Sequence, residues 1–200
     1  MLSIKKTQLK QAILNKKMFL DLDTMGLQGE LRTQEPMSRH TSWKTGGNAD
    51  YYYIASDIND LAKFISKLPT STPITWIGLG SNLLVRDGGV SGVVVSVVGL
   101  LNELKKINET EIFIGAGVSC AKAAHFSAKH GLEGIEFLAG IPGTIGGALA
   151  MNAGAYGGEI WSYIKEVETI NRKGKREIFE KDKFDINYRS VSISENEWFI

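Results

Sequence analysis

Residues 131–159, GLEGIEFLAGIPGTIGGALAMNAGAYGGE, hold nine glycines and five alanines in twenty-nine positions. They are interleaved with Leu132, Ile135, Phe137, Leu138, Ile141, Ile145, Leu149 and Met151, so the stretch is too apolar for a flexible linker. Small residues at this density let backbone approach a neighbour or a ligand closely, and permit positive φ. Pro142 stiffens the turn, and residues 144–151 read as a short helix capped by Thr144. The bare N–H groups at such a helix start would suit a phosphate. The plainer alternative is a buried glycine-rich turn that packs helix on sheet.

A second loop narrows the choice. Gly78-Leu79-Gly80-Ser81-Asn82-Leu83-Leu84 follows the β-rich run 74–77, where a strand would deliver a backbone nest for a diphosphate. Two such loops in one short chain favour a dinucleotide. The common fingerprints are absent, because Leu83 stands where a Rossmann loop needs its third glycine and neither loop ends in Gly-Lys-Ser/Thr. Another fold must hold the ligand.

Charge and composition exclude several classes. Lys plus Arg is 23 and Asp plus Glu is 22, so a formal charge of +1 asks for neither nucleic acid nor an anionic membrane. With 43% hydrophobic and 22% charged residues the chain reads as an ordinary globular protein. Cys120 is the single cysteine, which rules out an internal disulfide and reads as a small core residue. His40, His125 and His130 form no ligand cluster, so no metal site is expected. No run approaches the ~18–20 apolar residues of a membrane span, and the basic N-terminus lacks the apolar core of a signal peptide. Residence in the cytoplasm without membrane insertion is the expectation. The oligomeric state is open, a monomer being the simplest reading.

In chain order, residues 3–20 form an amphipathic helix and residues 25–37 a polar linker or entry loop, making 1–37 an N-terminal extension to a domain over 38–200 with a subdomain boundary near 105–118. A strand is predicted over 49–55, a helix over 58–68 capped by Ser56 or Asp57, and strands over 74–77 and 93–98. The valine run of the last argues burial on both faces. Short strands over 104–107 and 111–114 precede a helix over 119–130. Residues 166–171 and 175–179 predict a hairpin through Lys173-Gly174, 181–184 a helical turn, and 199–200 the middle of a strand. This order suits an α+β fold over a doubly wound sheet.

Five motifs, taken together, resemble one family. They are His40-Thr41-Ser42-Trp43-Lys44-Thr45-Gly46-Gly47, Gly78 through Asp87, Gly134 through Ala148, Met151-Asn152-Ala153-Gly154-Ala155-Tyr156-Gly157, and Tyr188-Arg189-Ser190, spread over residues 38–190. The chain is similar to the UDP-N-acetylenolpyruvoylglucosamine reductase family of flavoenzymes, within the FAD-binding superfamily of vanillyl-alcohol oxidase type. That resemblance implies a PCMH-type FAD-binding domain of two α/β subdomains and a non-covalent FAD. It implies NADPH as hydride donor and UDP-N-acetylglucosamine enolpyruvate as substrate, reduced to UDP-N-acetylmuramate for peptidoglycan.

By the same resemblance Gly78, Gly80, Ser81, Asn82 and Leu83 receive the diphosphate, with Gly140, Gly143, Thr144, Gly146 and Gly147 on the opposite side. The alternative reading of Asn82 is a side chain that braces its own turn. Thr41, Trp43, Lys44, Thr45 and Gly46 match a further flavin-contacting motif, with Lys44 the cation near phosphate or ring, although Trp43 alone would read as core. Asn152, Ala153 and Gly154 lie against the flavin and Tyr156 borders the substrate opening. Arg189 is the expected catalytic residue: a planar, permanently charged guanidinium suits the substrate carboxylate and the enolate charge that develops on it. Tyr188 orients substrate or packs beside it.

The family's proton-donating serine lies in a downstream substrate domain and an assisting glutamate lies near its C-terminus. No such serine motif follows Ser190, so the expectation is a chain incomplete for turnover. Two alternatives stand beside this reading: a flavin-dependent alcohol or hydroxy-acid oxidase of the same superfamily, and a non-catalytic flavin-binding remnant.

Overall fold

Val93, Val94 and Val95 have no exposed surface, and the N-terminal half is assembled around their strand. The computed structural model describes residues 26–200. In it β4 (Val90–Ser96) lies between β2 (Asn48–Ile54) and β3 (Ile74–Ile77), parallel to both, and β1 (Glu30–Pro36) closes the sheet antiparallel to β2. Helix α1 (Ile58–Lys67) covers one face, packing Leu61, Phe64 and Ile65 on Tyr53, Val93 and Val95. Met37, Ala49, Tyr52, Ile77, Val85 and Val94 cluster separately. Burial on both faces accounts for the unbroken valine run.

The strand β1 corrects one expectation. Residues 25–37 read as an entry loop because they are polar, yet they pair with β2 from Glu30↔Ile54 to Pro36↔Asn48. An edge strand has one neighbour and one wet flank, so polar side chains are tolerated along it. Gln34 sits in its middle at φ 53, which interrupts the alternation on which a strand assignment depends. The helix expected over residues 3–20 lies outside the described residues.

Asp57, not Ser56, caps α1: its carboxylate accepts from the N–H groups of Asn59 (2.7 Å) and Asp60 (2.8 Å). Asp60 inside the first turn accepts from Tyr53 Oη (2.6 Å), Gln28 N (2.8 Å) and Ser56 N (3.1 Å), pinning the start of β1 to the helix.

The second half gathers around a different core. Hairpin β5 (Leu104–Lys106) and β6 (Ile112–Ile114) leads to α2 (Cys120–Lys129), capped by Ser119, and then to the glycine-rich segment and α3 (Ile145–Ala150), capped by Thr144. Their core joins Val118, Cys120, Ala123, Phe137, Leu138, Ile145, Leu149 and Trp161. Two small hairpins follow in space: β7 (Gly154–Ala155) with β8 (Gly158–Glu159), and β11 (Asp185–Asn187) with β12 (Ser190–Ser192). Between them β9 (Glu166–Asn171) pairs with β10 (Arg176–Glu180) through the predicted Lys173-Gly174 turn, and β13 (Glu197–Phe199) adds to β9 on its other side. This mixture of layers and hairpins is an α+β fold. No helix among the described residues is long and apolar enough to cross a membrane, and these residues hold no group of metal-ligating side chains.

Candidate functional site

Strand β3 ends at Ile77, and the chain leaves it through Gly78-Leu79-Gly80, where Gly80 takes φ 65. A Cβ on Gly80 would land on the His40 carbonyl oxygen, so only glycine fits. Opposite stands the 140–147 segment, with Gly143 at φ 146. Ser81 Oγ donates to the Pro142 carbonyl at 2.7 Å and joins the loops. Between them opens a cleft of about 920 Å³.

Of the residues proposed from sequence, Gly78, Gly80, Ser81, Asn82, Leu83, Gly140, Gly143, Thr144, Gly147, Asn152, Ala153, Gly154, Tyr188 and Arg189 line this one cleft. Among the described residues the N–H groups of Gly80, Ser81 and Asn82 donate to no protein acceptor, and neither do those of Gly143 and Thr144. They form a set of directed donors facing a shared space.

The helix start itself is different from what the sequence suggested. Helix α3 was expected to offer bare N–H groups, but Ile145 N donates to Val118 O (2.9 Å), Gly146 N to Ala116 O (2.9 Å) and Gly147 N to Thr144 Oγ1 (3.4 Å). The acceptors for Ile145 and Gly146 arrive from residues 116–118, outside the local sequence, so only the Thr144 cap to Gly147 had a local signal. Anion-binding capacity therefore rests on the two loops. At Gly147 an added Cβ would meet only Thr144 Oγ1, at 3.6 Å; that glycine keeps cleft space open.

Thr41, Trp43, Lys44, Thr45 and Gly46 do not line the cleft. Their loop stands behind the Gly80 turn, with Ser42 N donating to Gly80 O (3.1 Å) and Lys44 N to Thr41 O (3.1 Å). Thr41 is buried there, whereas Trp43 is 69% exposed, contrary to a core reading. Behind this loop His40 Nε2 lies 2.8 Å from Glu35 Oε1, and that hydrogen bond holds the Glu35 carboxyl below the usual range against the opposing pull of burial. Gly146 also lies outside the cleft, its hydrogen face against Ala116. Tyr156 sits at the tip of the β7–β8 hairpin at φ 53 with its ring over Gly140, 93% exposed.

Arg189 and Tyr188 form the tip of the β11–β12 hairpin, with Arg189 at φ 55. Ile186 and Val191 pack this hairpin on the core that holds Ile145 and Leu149, and a buried amide adds a hydrogen bond to it. Buried Asn152, itself at φ 40, donates from Nδ2 to Glu159 Oε2 (3.0 Å) and to the Asn187 carbonyl (3.3 Å). Both partners are acceptors, which fixes the amide orientation. Sequence reasoning missed Trp76, Glu159 and Ser162, which also line the cleft. For Trp76 the available signal was its place at the end of the strand that feeds the first loop.

The cleft is thus lined by backbone amides that have no protein acceptor, by small and apolar side chains, and by the permanently charged Arg189. A family model described as FAD binding domain matches residues 49–179. The chain belongs to the FAD-binding domain family. Helix α1, strands β3 and β4, both glycine loops and strand β9 fall within that match, whereas β1 and the Tyr188-Arg189 hairpin lie outside it.

Similar proteins agree with this family. The chain is 47% identical over 179 residues to a UDP-N-acetylenolpyruvoylglucosamine reductase of Nitrosococcus oceani, covering 90% of this chain and 60% of that protein. It is 49% identical over 180 residues to the protein of the same name from Nitrosomonas eutropha, covering 88% and 54%. The crystal structure of UDP-N-acetylenolpyruvylglucosamine reductase from Thermus caldophilus superposes with a TM-score of 0.70 at 27% identity, covering 86% of this chain and 60% of that one. A 6-hydroxy-D-nicotine oxidase from Arthrobacter nicotinovorans shares the fold at 18% identity, with a TM-score of 0.61 over 80% of this chain and 37% of that one. The chain spans between about half and two thirds of the length of these reductases.

FAD suits the residues present. Its diphosphate needs several donors without a competing protein acceptor, which the Gly80–Asn82 amides supply, and the open hydrogen face of Gly147 leaves room for it.

Proposed function

We propose that this chain provides the flavin-binding part of an NADPH-dependent reductase that converts UDP-N-acetylglucosamine enolpyruvate to UDP-N-acetylmuramate for peptidoglycan. The observation that carries the reading is one cleft that holds both glycine loops and the Tyr188-Arg189 hairpin tip. FAD, when bound, supplies hydride transfer between the nicotinamide and the enolpyruvyl double bond.

The chain's own residues then divide the work. The N–H groups of Gly80, Ser81 and Asn82, facing those of Gly143 and Thr144, bind the diphosphate. Asn152, Ala153 and Gly154 form the wall along which the ring lies, and the Asn152 amide holds the Arg189 hairpin in register with that wall. Arg189 binds the substrate carboxylate and stabilises the negative charge that grows there. Tyr188 flanks it at the mouth.

The test is a flavin titration followed by a ligand titration. The purified chain should bind FAD, and NADPH added without oxygen should bleach the visible absorbance of the oxidised flavin. Arg189→Ala should keep FAD affinity within about twofold while losing the response of flavin fluorescence to the enolpyruvyl sugar. A chain that binds no flavin, or an Arg189→Ala variant that still responds fully to the sugar, overturns the proposal.

A further inference from the structure

Glu35 on strand β1 is a buried carboxylate, and a carboxylate held away from water needs a donor. Arg32 Nη1 (3.5 Å) and Arg39 Nη1 (4.0 Å) reach its Oε1 only at charge-pair distance, whereas His40 Nε2 comes to 2.8 Å. An ionised carboxylate only accepts, so Nε2 carries the proton of the neutral ring and a second proton adds at Nδ1. The imidazole lies flat on Tyr52, with ring centroids 4.2 Å apart at 24°, and keeps 19% of its surface in contact with water. Its hydrogen bond holds Glu35 below the usual carboxylate range, so Glu35 stays ionised near neutrality and His40 is the member of the pair that can change charge.

The backbone of the same residue supports the first glycine loop. The His40 carbonyl oxygen fills the space that a Cβ on Gly80 would need, and Ser42 N donates to Gly80 O at 3.1 Å. His40 N is fixed in turn on Met37 O at 2.9 Å. Glu35, the imidazole, the His40 carbonyl and the Gly80 turn thus form one packed series. It ends at the N–H groups of Gly80, Ser81 and Asn82, which have no protein acceptor among the described residues. The charged and titratable groups around the ring are Glu35 and Arg32 from β1, Arg39 beside it and Tyr52 from β2; residues 78–83 add none. His40 does not line the cleft, so it acts on a ligand there only through this loop. A cation formed behind amides that face an anion favours that anion.

We propose that His40 is a positioning residue of the diphosphate cradle: its ring, held by Glu35 and Tyr52, sets the Gly80 turn from behind, and protonation of that ring tightens the hold of the Gly80, Ser81 and Asn82 amides on an anion. This rests on reading the cleft as the FAD site. Position and charge are separable, because one substitution removes the charge alone and another removes both.

The experiment follows FAD affinity of the whole chain by flavin fluorescence from about pH 5.5 to about pH 8, the span in which an imidazole changes charge. The diphosphate of FAD keeps its own charge over that span. Wild-type affinity should rise about three- to tenfold as pH falls, the effect of one screened charge. His40→Gln keeps a donor for Glu35 and cannot titrate, so its affinity should vary by less than about twofold across the series. His40→Ala removes the donor and should bind FAD about tenfold more weakly than His40→Gln at either end. The other histidines remain in His40→Gln, so a slope that persists there belongs to them and overturns the inference. A flat wild-type profile with FAD bound, or equal affinities in the Ala and Gln variants, also overturns it and leaves the flavin reading standing. A wild-type chain that binds no FAD at any pH removes both. Should the variants fail to fold, the wild-type protein answers in ¹⁵N–¹H spectra without flavin. The Gly80, Ser81 and Asn82 amide peaks should move with the midpoint of the His40 ring, and peaks that stay in place overturn the inference.

Discussion

Ser81 Oγ donates to the Pro142 carbonyl oxygen at 2.7 Å, across 61 positions of sequence, and this bond spans the two glycine loops. The sequence suggested a hydroxyl directed at phosphate; in the structure its proton is committed to the opposite loop. Ser81→Ala should therefore leave the Gly80 and Asn82 amides intact but loosen the spacing between the loops. A neutral hydrogen bond contributes about 0.5–1.5 kcal/mol, so FAD affinity should fall about 2- to 10-fold with little change in melting temperature. A fluorescence titration with thermal melts checks this; unchanged affinity would show that the bond does not set the cradle width.

Gly78 and Thr144 test the same spacing by steric means. A Cβ at Gly78 would run into Thr144 Oγ1 and Cγ2. Gly78→Ala should therefore push strand β3 and the α3 cap apart, costing about 2–3 kcal/mol of stability and most of the FAD affinity. Thr144→Ala alone removes the cap to Gly147 N and should cost about 1 kcal/mol. Because it also clears the space a Gly78 methyl would need, the double variant should be more stable than the sum of the two losses allows. Denaturant melts of the four proteins decide it, and strict additivity would mean that the two residues do not meet.

Local signals were legible where local chemistry decides structure. The pair Ser56 and Asp57, and Thr144, announced two helix starts because a short polar side chain before an apolar run has few other uses, and the structure gives the first cap to Asp57. The valines of β4 and the Lys173-Gly174 turn were equally readable. What escaped depends on distant partners. Strand β1 is polar and needs β2 to exist, and the hairpins carrying Tyr156 and Arg189 are too short to show a period. At the site the glycine loops were visible, but the occupied amides of α3 were not, since Ala116 and Val118 reach them through the fold.

Asp60 makes stability depend on acid in a predictable direction. Burial, the largest influence, raises its pKa, but hydrogen bonds from Tyr53 and from the amides of Gln28 and Ser56 outweigh it and hold the carboxyl below its ordinary value. A folded-state pKa below the unfolded one contributes stability above the unfolded value, about 3.9, and that contribution disappears as pH falls through the folded value. Asp60→Ala should cost about 2–4 kcal/mol at neutral pH by stranding these donors. Asp60→Asn should be less damaging and should flatten the acid limb of a plot of melting temperature against pH below about 4. An identical acid limb in wild type and Asp60→Asn would remove Asp60 from that account.

Cys120 occupies the first position of α2, where a helix start favours a thiolate, yet it has no exposed surface. Burial prevails and pushes its thiol up to about 11. At pH 8 the native protein should react with a disulfide reagent at least about a hundredfold more slowly than the unfolded chain, because both thiolate fraction and access are reduced. The residual reaction must proceed through opening of the α2 start, whose Cys120 N–H donates to the Gly143 carbonyl at 3.0 Å. Gly143 is part of the cleft lining, so a ligand that binds only the closed form should suppress that opening. Saturating FAD should therefore slow the labelling further, in proportion to ligand concentration over Kd. If labelling is slow but indifferent to FAD, the α2 start opens without disturbing the cradle, and the link through Gly143 fails.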